Sequence, residues 1–240
     1  MEFAHDVSGS GIARIMKYQV AATNTVIGRP YLKAASSGSG IVLGTTGGAV
    51  DMVGVNIDAA GTYVTAQQTD NADTARLTTL IVNPGAVYKA RLSGGATDGT
   101  ALSAATVTTA SSDGLSVTTS AFDPNSPDMD EGIIWGYSGG NAGRARKITS
   151  TAANVATVTV AFPVDTAVGD KFLYAPISPV STITAQLTTN CTEIDASAAI
   201  SGDATVIVFE MVLNDIAGDG LTKSYALIQF VDSLFGGNIT

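Results

Sequence analysis

Residues 132–150 read GIIWGYSGGNAGRARKITS. Two β-rich runs, GIIW and RARKITS, flank a turn-forming middle, YSGGNAG. Gly136-Tyr137-Ser138-Gly139-Gly140 has the G-x-S-x-G spacing of a serine-hydrolase nucleophile elbow. Such an elbow needs a strand before the serine and a helix after it. The strand is there in GIIW. The helix is not, because Asn141-Ala142-Gly143 is turn chemistry and the basic run continues into β-branched residues. A triad also needs a base, and the only histidine, His5, lies upstream of the serine. A dinucleotide loop fails for the same lack of a helix, and its first position is Ser138 rather than glycine. A P-loop fails because Arg144 and Ala145 follow Gly143 where Lys and Ser or Thr are required. The stretch therefore reads as strand, turn, strand, with Arg144 and Arg146 on one face of the second strand and Lys147 on the other. Those two arginines are expected either to pair with Asp128, Asp130 and Glu131 or to meet an acidic neighbour at an interface, in preference to binding a ligand.

The same vocabulary fills the rest of the chain. Of 240 residues, 14% are charged, 6% are aromatic and 26 are glycine. Short Thr- and Val-rich runs alternate with Gly-rich turns throughout, and no long segment has the 3.6-residue period of a helix. The expected class is all-β: two to three small sandwich- or barrel-like modules with little helix. Residues 1–17, with Ser8-Gly9-Ser10-Gly11 inside them, read as an extended N-terminal arm. Residues 18–105 read as a first β module, containing RPYLKAA, DMVGVNI, TYVTA, RLTTLIV and AVYKARLS. In the last of these Val87, Lys89 and Arg91 face one way and Tyr88, Ala90 and Leu92 the other. Residues 106–177 read as a second small module. Residues 178–240 form an acidic β segment that either packs with the first module or builds an oligomer interface.

Net charge is −9 and unevenly placed: residues 178–240 hold one basic side chain, Lys223, against seven acidic ones. A nucleic-acid partner needs clustered Lys and Arg, so none is expected. No apolar run approaches ~18 residues, so no membrane span is expected, and the acidic opening MEFAHD is unlike a signal peptide. One cysteine, Cys191, excludes an intrachain disulfide and reads as a small buried hydrophobe. One His and one Cys cannot build a transition-metal site, and no cofactor is expected. Calcium has one candidate cluster, Asp123, Asp128, Asp130 and Glu131, which departs from the EF-hand loop at Pro127 and Asp128. Trp135, the only tryptophan, reads as core packing, with a partner-facing anchor as the alternative. No spacing singles out a catalytic carboxylate pair, and the chain is not expected to be an enzyme.

Residues 131–176 resemble a small β module recurring in structural proteins of tailed bacteriophages. The features that carry the resemblance are a hydrophobic strand (132–137), a turn ending Asn-Ala-Gly (141–143), a basic-plus-Ile strand (144–148), a Thr/Val strand (155–162) and Gly-Asp-Lys-Phe (169–172). IGRPYLKAA, VGVNIDAAGTYVTAQQTD and LIVNPGAVYKARLSGGATDGTAL are similar to phage head proteins of the decoration, or cement, type. Together these segments cover most of residues 18–177, and residues 178–240 carry no such match. The resemblance implies a virion protein on the capsid exterior, assembled in the host cytoplasm. It implies a homotrimer that bridges subunits of the major capsid protein. Phe3, His5, Ile12, Arg14 and Ile15 of the arm, with Arg144 and Arg146, are then the interface candidates. The alternative function is a receptor- or glycan-binding module of a phage fibre or a cell-surface adhesin. It calls for an exposed aromatic patch around Trp135, whereas the decoration reading calls for a buried Trp135.

Overall fold

The computed structural model describes residues 1–6, 15–19, 30–34, 41–43, 52–57, 77–82, 85–102, 104–120, 130, 132–175, 179, 181–196, 204–213 and 224–231. Among them there are seventeen strands and no helix. They are β1 (Glu2–Asp6), β2 (Ile15–Gln19), β3 (Tyr31–Ala34), β4 (Ile41–Leu43), β5 (Met52–Asn56), β6 (Leu77–Ile81), β7 (Ala86–Ser93), β8 (Ala105–Thr109) and β9 (Ser116–Thr119). There follow β10 (Ile133–Gly136), β11 (Ala145–Ala152), β12 (Val155–Val158), β13 (Lys171–Ala175), β14 (Ser181–Ala185), β15 (Glu193–Asp195), β16 (Ala204–Val212) and β17 (Tyr225–Phe230). The all-β class is as the sequence indicates.

The strands form two sheets and a closed barrel. The first sheet runs β1-β7-β17-β16-β14, and β15 also pairs with β7. β1 is antiparallel to β7 over Ala86 to Lys89, and β15 is parallel to it over Arg91 to Ser93. These two short strands thus lie end to end along one edge of β7, with β17 on the other. The second sheet runs β2-β6-β5-β3-β4. Period-2 alternation assigns the buried faces: Tyr88, Ala90 and Leu92 of β7, Val206 and Val208 of β16, and Ala226, Ile228 and Phe230 of β17 share one core with Tyr31, Val55 and Ile81 of the second sheet. Tyr31 of β3 stacks on Phe230 of β17 with centroids 4.3 Å apart, and the Tyr88 hydroxyl donates to the Ile81 carbonyl at 3.2 Å. An aromatic pair of this kind adds about 0.5–1.5 kcal/mol beyond its buried area. The two sheets therefore pack face to face.

The barrel, in the order β10-β11-β12-β9-β8-β13, lies between β7 and β14 in the chain, two strands of the first sheet. It is an insertion into the sandwich, occupying residues 105–175. Its interior holds Val107, Val117, Ile134, Ile148, Ala156, Val158, Phe162 and Phe172. The same alternation sends Trp135 of β10, with Leu173 and Ala175 of β13, out of the barrel and into the sandwich core. One pair of adjacent strands thus has two buried faces, one per core.

The segment read as an arm behaves differently where it is described. Glu2–Asp6 pairs with β7 of the first sheet, Ile15–Gln19 pairs with β6 of the second, and Met1 is buried in the sandwich core. The reason is the free edge of β7, whose backbone groups β1 satisfies within the chain. Strands of the C-terminal third, β15 and β17, pair with β7, so that third is built into one sheet with the end of the first module. TYVTA lies outside the described residues.

Candidate interaction surface

The turn between β10 and β11 is closed by backbone hydrogen bonds. Gly143 N–H donates to the Gly136 carbonyl at 2.8 Å, Gly136 N–H to Arg144 at 2.8 Å, and Arg144 N–H to Asn141 at 3.0 Å. Gly139 sits at φ +81°, and a Cβ there would lie 2.0 Å from the Asp170 carboxylate. That carboxylate accepts from Ala167 N–H at 3.0 Å. The Ser138 hydroxyl oxygen accepts from Lys171 N–H at 3.1 Å. Ser138 is thus a turn pin between β10 and β13, followed by a turn and then by β11, not by a helix.

Three loops meet at this end of the barrel: 110–115 from β8 to β9, 137–144 from β10 to β11, and 159–170 from β12 to β13. In the closed strand order the first two emerge on opposite sides, and β12 and β13 also stand opposite each other. The third loop therefore crosses the mouth along a diameter. Its crossing is pinned on both sides. Phe162 N–H donates to Gly114 at 2.8 Å, and Ser111 N–H donates to the Thr166 carbonyl at 3.1 Å. From the other side the buried Asn141 side chain grips Val164, its Nδ2 donating to the carbonyl at 2.7 Å and its Oδ1 accepting from the N–H at 3.3 Å. Phe162 and Thr166 turn inward and are buried, while Val160, Val164 and Val168 face solvent. With Leu115 and Tyr137 these valines are 39–66% exposed, and they make up five of the seven large exposed apolar side chains among the described residues.

Arg146 lies half-buried beneath this lid and makes no ion pair with an acid among the described residues. Its guanidinium sits 5.2 Å from the Phe162 ring centroid, its Nε donates to the Ala161 carbonyl at 3.1 Å, and Nη1 donates to Ala145 at 2.8 Å. It shares a strand face with Ile148, a barrel-core residue, so its side chain is directed at the mouth, where one donor satisfies the lid carbonyl of Ala161 and another the Ala145 carbonyl of its own strand. Arg144, two residues earlier, is exposed. Opposite it, the exposed Asp113 accepts from the Ser111 hydroxyl at 2.6 Å and Leu115 N–H at 2.9 Å. Those bonds, the Ser111 one foremost, hold its carboxyl below the usual carboxylate range.

The other expected site residues are dispersed. Phe3 and His5 lie opposite Tyr88 and Val87 in the β1–β7 register, and Ile15 opens β2, 55% exposed. Ile12, Arg14, Asp123, Asp128 and Glu131 lie outside the described residues. Asp130 accepts from Thr151 N–H at 2.8 Å, and among the described residues no three His, Cys, Asp or Glu are grouped to hold a metal. Trp135 is 9% exposed, in the seam between barrel and sandwich.

Two features escape the sequence reading. The valines at 160, 164 and 168 carry a signal, since apolar residues in a loop with Pro163 and Gly169 have no strand to explain them. The other is a polar knot where the chain leaves the sandwich. Asp98 accepts from Thr188 Oγ1, from Asn190 Nδ2 at 2.6 Å and from Thr192 Oγ1 at 2.7 Å. Glu193 accepts from Gly99 N–H at 2.7 Å. Cys191, buried at φ +56°, accepts from Tyr31 N–H at 2.9 Å through its carbonyl, tying the knot to the second sheet. The side-chain partners are 90 to 94 residues apart in the chain and Tyr31 lies farther still from Cys191, so no local pattern announces them.

Comparison with known proteins finds no matching family model, no matching curated protein and no matching solved structure.

Proposed function

We propose that this chain is a structural virion protein that binds the exterior of a phage capsid and stabilises the shell by bridging subunits of the major capsid protein. The reading rests first on two resemblances that together cover most of residues 18–177, that of residues 131–176 to a β module of phage structural proteins and that of the earlier segments to decoration proteins. The observation that favours it over the receptor- or glycan-binding alternative is the position of Trp135. Sugar recognition by stacking needs an exposed aromatic platform, and the single tryptophan instead fills the seam between two all-β bodies. A protein of this kind does no chemistry. It resists local opening, and it stabilises the shell because it binds the assembled state and not free subunits. Many copies with modest contacts act together through multivalency. In this reading the protein forms a homotrimer on the shell.

The test is a titration of the purified chain onto undecorated capsid shells of the phage that encodes it, beside an array of host-surface glycans. The expected result is saturable binding at a fixed ratio to capsid subunits, a raised shell melting temperature and no glycan retention. Glycan retention without shell binding would transfer the function to the alternative.

A further inference from the structure

We propose that the loop-built end of the barrel is a self-complementary contact, and that its occupant is the same end of a second copy of this chain, related by a two-fold axis. The proposal does not rest on the capsid reading.

Three observations on that surface carry it. The first is the apolar ridge. Val160, Val164 and Val168 point outward at four-residue spacing from a loop whose alternate residues, Phe162 and Thr166, are buried. Barrel closure requires only the inward pair. An outward row of branched apolar side chains is unfavourable in water unless something covers it. The second is rigidity. The ridge is pinned to both flanking loops by Gly114, Asn141 and Ser111, so little side-chain or loop entropy is lost on contact. The third is the charge pattern. The strand order puts the β10–β11 loop and the β8–β9 loop on opposite sides of the ridge. The first ends at exposed Arg144, whose side chain has no hydrogen bond or ion pair to a described residue. The second carries exposed Asp113.

A surface with an apolar centre, one basic flank and one acidic flank is complementary to itself under a two-fold rotation. The rotation lays ridge on ridge and sets each Arg144 against the other copy's Asp113, twice per contact. A nucleic acid does not fit a chain of net charge −9.

Light scattering across a concentration series tests this on the full chain. The wild type is expected to have twice the mass of the Val164→Glu variant. Arg144→Asp and Asp113→Arg are each expected to weaken pairing at least ~10-fold, because each sets like charges together at two places. The double variant is expected to return to within ~3-fold of wild type, since the swap restores both pairs. Asp113→Arg also removes a turn cap, so a second variant stands beside it. Val164→Cys is expected to cross-link between copies with a short bis-maleimide, and Thr182→Cys, exposed on β14, is not; Cys191 is buried and silent. Equal masses for wild type and Val164→Glu at every concentration would overturn the proposal. So would a double swap that stays as weak as the singles, or Val164→Glu losing only shell binding, which would assign the ridge to a capsid subunit.

Discussion

Arg144 and Arg146 are two residues apart and carry the same charge, but the first ends the β10–β11 loop and the second lies inside β11, and they have different work. Arg146 sets its guanidinium over Phe162 and donates to the Ala161 carbonyl of the lid and to the Ala145 carbonyl of its own strand, while Arg144 stands in water. Replacing Arg146 by Ala removes packing, a cation–π contact and two hydrogen bonds, and is predicted to cost roughly 1–3 kcal/mol. Arg144→Ala is predicted to stay within about 0.5 kcal/mol. Urea midpoints of the two variants check the contrast, and equal midpoints would contradict the lid role. Tyr174 offers a pH test on the barrel. Burial pushes its phenol above the ordinary value of 10.0. The folded state therefore holds this proton more tightly than the unfolded state, and unfolding releases it once pH exceeds 10.0. Stability is predicted to be whole below that pH and to fall as pH rises through it. A Tyr174→Phe variant should lack that part of the decline in urea midpoint between pH 9 and 11.

At the level of elements, legibility followed locality. Strands β8 to β13 could be read because each is a run of β-branched residues between turn formers: SVTT after Gly114, IIW after Gly132, ARKITS after Gly143. The turn at Ser138 could be read because a missing helix is a local fact. β15 could not, since Glu-Ile-Asp is three residues long and pairs parallel with a strand about 100 residues upstream. β1 misled because the linker-like Ser8-Gly9-Ser10-Gly11 makes the opening look like an extended arm, and its status as a strand depends on the free edge of β7. The fate of Trp135 was half readable. Alternation separates it from Ile134, but only the docking of the barrel on the sandwich gives its side a core. The same dependence makes a prediction. Removing residues 1–6 deletes an edge strand and takes Met1 from the sandwich core, and should destabilise the sandwich by about 3 kcal/mol or more. A truncation that melts like the full chain would return the segment to the status of an arm. For the same reason, truncating residues 1–15 perturbs folding along with any contact the segment makes.

The whole molecule is a sandwich interrupted by a barrel, with Trp135, Leu173 and Ala175 buried at the seam and the polar knot of Asp98 where the chain crosses over. The seam opposes relative motion of the two bodies, because opening it exposes apolar surface, while the knot fastens the connecting loop to the sandwich. Long-range pairing of this kind, with β7 meeting strands from both ends of the chain, suits a protein whose work is to remain in one shape. On the proposed capsid reading, that is the demand an icosahedral shell would make on its outer layer. The most direct test is an electron cryomicroscopy reconstruction of undecorated capsid shells incubated with the purified chain. The account predicts ordered density for sandwich and barrel at fixed lattice positions on the shell exterior, astride the boundaries between capsid subunits. A bare shell at saturating protein would contradict it.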